Sequence, residues 1–128
     1  MKRKSKRILV IDDNPVVLNV LREFLVPAYA VDIATSASEA LGVVVSRKPD
    51  VILLDIKMPG MDGLSLLKSF RTMGLETPVF IMTGYDSTEV AFDAFGNGAN
   101  GYLPKPFDLI HLERLIADSL GAEPSIAE

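Results

Sequence analysis

The chain contains no cysteine among its 128 residues. That excludes disulfides, zinc–thiolate sites and thiol catalysis at once. It has a single histidine, His111. No apolar stretch approaches the length needed to cross a bilayer. The short run Ile8 to Ile11, which follows a basic start, is far below the size of a signal-peptide core. The expectation is a soluble cytoplasmic protein with no membrane role. Also missing are internal repeats, linkers and low-complexity segments, so the length fits one domain around one core. With 48% apolar and 23% charged residues, the composition is that of an ordinary globular protein rather than a disordered one.

Basic charge is scarce in the body of the chain. Five of the 13 basic residues lie in the first seven positions, so residues 8–128 hold 8 basic against 17 acidic groups. A body that acidic suits a nucleic-acid backbone poorly, and no direct nucleic-acid binding is expected. Residues 1–6 read as a solvated basic leader. Residues 121–128 have little to bury and read as a tail. The candidate domain is 7–120.

Three short apolar runs dominate that domain: Ile8 to Ile11, Val51 to Leu54, and Val79 to Met82. Unbroken rather than alternating, they read as strands covered on both faces, the habit of a parallel sheet. Ala30 to Ala34 and Asn100 to Leu103 are weaker candidates. Helical patterns separate the strands. Asn14-Pro15 has the form of an N-cap followed by proline at the first helical position. Ser36 and Glu39 have capping-box spacing. Asp62 and Asp108 stand as caps ahead of later helices, and Ser87 to Phe95 forms a shorter one. Five alternations of strand and helix predict an α/β fold, a doubly wound parallel sheet of (βα)5 form.

In such a sheet functional groups gather at the carboxyl ends of the strands. There the sequence places Asp12-Asp13, Asp55 and Thr83 at three strand ends, with Lys105-Pro106 after the fifth strand. Carboxylates sharing one cavity resist joint ionisation, so something must offset their charge. A divalent cation and the ammonium of Lys105 are the simplest answers, and an oxygen-only ligand set favours Mg²⁺ over zinc. Each residue taken singly also fits a structural role as loop start, cap, turn or strand exit. Their joint occurrence at four strand ends favours a functional cluster.

The blocks Ile8-Leu-Val-Ile-Asp-Asp13, Leu54-Asp55-Ile-Lys-Met-Pro-Gly-Met-Asp-Gly63, Met82-Thr83-Gly84 and Gly101-Tyr-Leu-Pro-Lys-Pro106 resemble the signature blocks of response-regulator receiver domains, in the family's order and spacing. The resemblance spans about Arg7 to Leu120. It implies the flavodoxin-like strand order 2-1-3-4-5. It also implies a switch of a two-component phosphorelay, not an enzyme beyond its own phosphorylation and dephosphorylation. By that resemblance Asp55 is the phospho-acceptor, with Lys105 and Thr83 assisting. Asp12, Asp13, Asp55 and the backbone carbonyl of Lys57 hold Mg²⁺, and the bond before Pro106 is cis. Thr83 and Tyr102 form the switch that remodels the face of the fourth helix, fifth strand and fifth helix. Bulky Lys57 and Tyr85 imply slow loss of the phosphoryl group. Implied partners are a sensor histidine kinase or phosphotransfer protein and a downstream protein or output domain, with a monomer or phosphorylation-linked dimer. Whether the chain stands alone or belongs to a longer regulator stays open.

Three rivals fit less well. A small-molecule phosphatase that forms an acyl phosphate would place a second acid two residues after its nucleophile, where Lys57 stands. A flavin or nucleotide module needs a Gly-, Ser- or Thr-rich loop after the first strand, and Asp12 to Pro15 is acidic there. No Walker-type Gly-Lys-Ser/Thr run exists. A degenerate, phosphorylation-independent receiver would have lost a key position, and none is missing. His111, in the last helical segment, reads as structural or surface-exposed.

Overall fold

The three unbroken apolar runs form the three inner strands of one parallel sheet. A computed structural model describes residues 6–58, 61–84, 88–106 and 108–121. In it β1 (Arg7–Ile11), α1 (Pro15–Leu25), β2 (Ala30–Ala34), α2 (Ala37–Arg47), β3 (Val51–Asp55), α3 (Gly63–Thr72), β4 (Val79–Gly84), α4 (Thr88–Gly96), β5 (Gly101–Lys105) and α5 (Leu109–Leu120) follow in order. The strand order is β2-β1-β3-β4-β5, with all pairs parallel. A two-residue antiparallel ladder, Lys57–Met58 against Met61–Asp62, lies between β3 and α3. This is the doubly wound order that the motif resemblance implied.

Strand alternation divides the interior into two cores. Leu9, Ile11, Ile52, Leu54 and Ile81 face α2, α3 and α4, packing with Val44, Leu66, Leu67, Phe70 and Ala94. Ile8, Val10, Val51, Leu53, Phe80 and Met82 face the other way, onto Leu18, Leu21 and Leu25 of α1 and Leu112 and Ile116 of α5. Because both faces of β3 are covered, all five of its residues are buried. That is why its sequence is continuous rather than alternating.

The helix starts follow local chemistry. Asn14 accepts from the Val16 amide at 2.9 Å, and Pro15 takes the first helical position. The Ser36 hydroxyl accepts from the Glu39 amide at 3.2 Å. The return half of that capping box is displaced by one residue: Glu39 accepts from the amide and hydroxyl of Thr35 instead of the N-cap amide. Asp62 and Asp108 cap α3 and α5. Helix α4 begins at Thr88, and Ser87 lies outside the described residues.

The fifth strand differs from the sequence expectation at both ends. It runs from Gly101 through Lys105, so Lys105 belongs to the strand instead of following it. Asn100 falls before it because its side-chain oxygen accepts the Val79 amide at 3.0 Å. Pro104 is tolerated because β5 is an edge strand.

Candidate functional site

The chain leaves β1, forms β2 on one side and returns across β1 to β3. The crevice between the carboxyl ends of β1 and β3 therefore lies where the winding reverses. Asp12 follows β1, its amide donating to the Ala34 carbonyl at 3.1 Å. Asp55 is the last residue of β3, and the next amide, of Ile56, donates to the Met82 carbonyl at 3.2 Å. The backbone at both positions is thus held by the sheet itself.

Asp12 is fully buried and Asp55 is 4% exposed, whereas Asp13 is exposed. Each of the three offers a carboxylate oxygen, all within 4.8 Å of one another. Lys105 reaches in from the end of β5. Its Nζ donates to Asp12 Oδ2 at 3.0 Å and stands 3.5 Å from Asp55 Oδ1. Of the lysine's two carboxylate contacts that to Asp55 is the longer, and Asp12 holds the lysine more closely. The Asn14 amide donates to the other Asp12 oxygen at 2.9 Å, and the Lys57 amide donates to Asp55 Oδ1 at 3.3 Å. The Lys105–Pro106 peptide is cis.

Burial pushes the Asp55 carboxyl up to about 6, and the neighbouring Asp12 charge adds to the rise. The Lys105 ammonium and the Lys57 amide oppose it. One ammonium does not balance this many acids, so the pocket retains surplus negative charge and oxygen ligands suited to a hard divalent cation.

Thr83, in β4, is 2% exposed, and its hydroxyl oxygen finds no hydrogen-bond partner among the described residues. Buried hydroxyls are normally satisfied, so this one is an exception at the carboxyl end of its strand. Tyr102 is half-buried on β5, paired in register with Ile81, two residues before Thr83. Leu103 belongs to the core on the α1–α5 side, so Tyr102 and Thr83 share the opposite face, toward α4. The Lys57 side chain is exposed, and Tyr85 lies outside the described residues. His111 is exposed on α5.

Gly63 is a positioning residue whose reason is visible only in three dimensions. A Cβ there would lie 2.6 Å from the Asp55 carbonyl oxygen and 2.7 Å from the Ile56 Cα. Its amide donates to the Ile56 carbonyl at 3.0 Å, drawing the start of α3 against the loop after Asp55. The Asp62-Gly63 pair was the available sequence signal, but it reads equally well as an ordinary helix start.

The sheet order, the strand-end acids and the lysine on the fifth strand together define a receiver-type signalling domain. Residues 8–117 match the response regulator receiver domain family, and the chain belongs to it. It is 39% identical over 109 residues to the response regulator MprA of Mycobacterium bovis, covering 84% of this chain and 47% of that protein. MprA of Mycolicibacterium vanbaalenii is likewise 39% identical over 107 residues, covering 83% and 46%. The chain thus spans about half the length of the curated relatives it matches. Among solved structures, a CheY-like response regulator receiver domain protein from Methanospirillum hungatei superposes with a TM-score of 0.84 at 32% identity, covering 91% of this chain and 94% of that one. A putative response regulator from Chloroflexus aurantiacus gives 0.85 at 31% identity, covering 91% and 98%. This is a response-regulator domain of the kind used in two-component signalling, and among the described residues no helix is long and apolar enough to cross a membrane.

Proposed function

We propose that Asp55 accepts a phosphoryl group from the phosphohistidine of a sensor kinase or phosphotransfer protein, in a Mg²⁺-dependent reaction that switches residues 7–120 between two packings. The observation that carries this reading is the buried Asp55 carboxylate, which shares Lys105 with Asp12, in a domain whose buried Thr83 hydroxyl has no partner among the described residues.

An Asp55 oxygen forms a bond to phosphorus as the phosphorus–nitrogen bond of the phosphohistidine breaks, and the imidazole departs with the bonding pair. Phosphoryl transfer depends mainly on positioning and charge stabilisation, which a fixed carboxylate and a mobile ammonium supply. When bound, Mg²⁺ would offset the negative charge of the transferring group, held by the carboxylates of Asp13 and Asp55, by Asp12 largely through water and by the backbone carbonyl of Lys57. Lys105 then exchanges its carboxylate partners for a phosphoryl oxygen, and the Thr83 hydroxyl donates to another. Tyr102, on the same face as Thr83, follows that movement, and the α4–β5–α5 surface is remodelled.

In this reading the chain is no enzyme beyond its own phosphorylation and dephosphorylation, and it works in the cytoplasm. Its output partner is a downstream protein or output domain, and it acts as a monomer or a phosphorylation-linked dimer. The test is incubation with acetyl phosphate, with and without Mg²⁺, followed by intact mass after acid quench. A metal-dependent gain of one phosphoryl group, absent in Asp55→Asn, is expected. No gain at short quench times would leave a receiver that binds partners without phosphorylation.

A further inference from the structure

At the end of the sheet opposite the acidic crevice, one guanidinium has all five of its N–H donors engaged. Arg71, near the end of α3, donates from Nη1 to the carbonyls of Leu75 at 2.8 Å and Thr77 at 2.9 Å. From Nε and Nη2 it donates to the Gly98 carbonyl at 3.2 and 2.8 Å. A further Nη2 bond reaches Asn100 Oδ1 at 2.9 Å. Arginine has five N–H donors in a rigid planar array, so none is left over.

The acceptors belong to separate segments. Leu75 and Thr77 lead into β4, whereas Gly98 and Asn100 form the turn between α4 and β5. That turn is itself tied back to the helix: the Ala99 amide donates to the Ala94 carbonyl at 2.9 Å and the Gly98 amide to that of Phe95 at 3.1 Å. Asn100 Oδ1 also accepts the Val79 amide, and the Asn100 amide donates to the Val79 carbonyl at 2.8 Å. Position 98 favours glycine. Its φ is +103°, and a Cβ would come within 2.9 Å of Arg71 Nε.

Arg71 therefore fastens the starts of β4 and β5 and the C-terminal end of α4 to α3. Of the groups that respond to phosphorylation in the reading above, Thr83 and Lys105 lie toward the other end of those same two strands, and Tyr102 lies between that end and the turn. Lys105 is five residues beyond Asn100, about 16 Å along an extended strand. Nothing comparable among the described residues pins that far end to α3.

We propose that Arg71 is a positioning residue that forms the fixed end of the switch, so that α4 and β5 respond to phosphorylation by pivoting about the Gly98–Asn100 turn instead of shifting as a whole. The pivot rests on the phospho-switch reading, whereas the clamp on the turn does not.

Amide hydrogen exchange tests both, on wild-type protein and on Arg71→Lys, with and without acetyl phosphate and Mg²⁺. Lysine keeps the charge and loses the planar array. In the wild type, phosphorylation is expected to change exchange in the first half of α4 and at the amides of Tyr102, Leu103 and Lys105, while residues 97–101 keep their protection. In Arg71→Lys, residues 97–101 are expected to exchange about tenfold faster in both states, the scale of losing one charge-assisted hydrogen bond. The phosphorylation response should then spread along all of α4, a redistribution that simple destabilisation does not produce. Should Arg71→Lys fail to fold, Asn100→Ala, which removes one acceptor, is expected to show the same spread to a smaller degree. Wild-type residues 97–101 changing as much as the start of α4 would overturn the pivot. Equal protection of 97–101 in wild type and variant would overturn the clamp. Absence of any phosphoryl mass gain in the wild type would remove the pivot together with the site reading, leaving the clamp to be judged by the unphosphorylated arm alone.

Discussion

Lys105 sits closer to Asp12 than to Asp55, at 3.0 Å against 3.5 Å. The lysine thus rests nearer the fully buried acid than the proposed acceptor, and burial together with the Asp12 charge raises the Asp55 carboxyl to about 6 against the pull of that ammonium. Lys105→Met leaves Asp12 and Asp55 without their common cation. Because the lysine side chain is 27% exposed, the cost is expected below that of a fully buried pair, about 1–3 kcal/mol. Thermal melts should show Mg²⁺ recovering part of that loss, and acetyl phosphate labelling should slow at least tenfold. A melt unchanged from wild type in the absence of metal would contradict this role.

The raised Asp55 carboxyl has a definite linkage sign. Its pKa in the folded state, about 6, lies above the ordinary value of 3.8, so between those values the folded state binds more protons. Metal-free stability should therefore fall as pH rises from about 4 to 6, with a total contribution from this group of up to about 3 kcal/mol. Asp55→Asn should raise the metal-free melting temperature at neutral pH and flatten that dependence. Mg²⁺, which binds the folded state, should stabilise the wild type more than the variant. Denaturant melts across this pH range check the sign.

The unpartnered Thr83 hydroxyl makes a two-sided prediction. Thr83→Val removes a buried polar group that makes no hydrogen bond among the described residues, so the unphosphorylated fold should be unchanged or more stable by about 1 kcal/mol. The same variant should take the phosphoryl group yet lose much of the exchange response in α4 and β5. Destabilisation by several kcal/mol would show that the hydroxyl is already satisfied.

Gly63→Ala forces a methyl to within 2.6 Å of the Asp55 carbonyl oxygen. Overpacking against backbone is expected to cost about 1–3 kcal/mol and to shift Asp55, lowering the labelling rate. Gly42→Ala is the control, because nothing lies within 4 Å of a Cβ there and the position is inside α2. It should be neutral or stabilising by up to about 1 kcal/mol.

The inner strands were legible because burial on both faces leaves an unbroken apolar run, as in Val51 to Leu54. The caps at Asn14, Ser36, Asp62 and Asp108 were legible because each acts within three residues of itself. Lys105 could be placed near the acids, but its preference for Asp12 depends on side-chain reach across the sheet, which spacing along the chain does not encode. Arg71 gave no local signal: its partners include Gly98 and Asn100, 27 and 29 residues away, and as a sequence feature it is one more charge on an amphipathic helix. The reason for glycine at position 63 was hidden for the same reason, since the atoms it admits belong to Asp55 and Ile56.

The central claim, that Asp55 carries the phosphoryl group, is tested most directly by locating the adduct. Protein treated with acetyl phosphate and Mg²⁺ is reduced with borohydride, which converts an acyl phosphate on aspartate to homoserine, and the peptides are then sequenced by mass spectrometry. The account predicts homoserine at position 55 and unaltered aspartate at positions 12 and 13. Homoserine at 12 or 13, or none at 55 in protein whose intact mass shows the adduct, would contradict it.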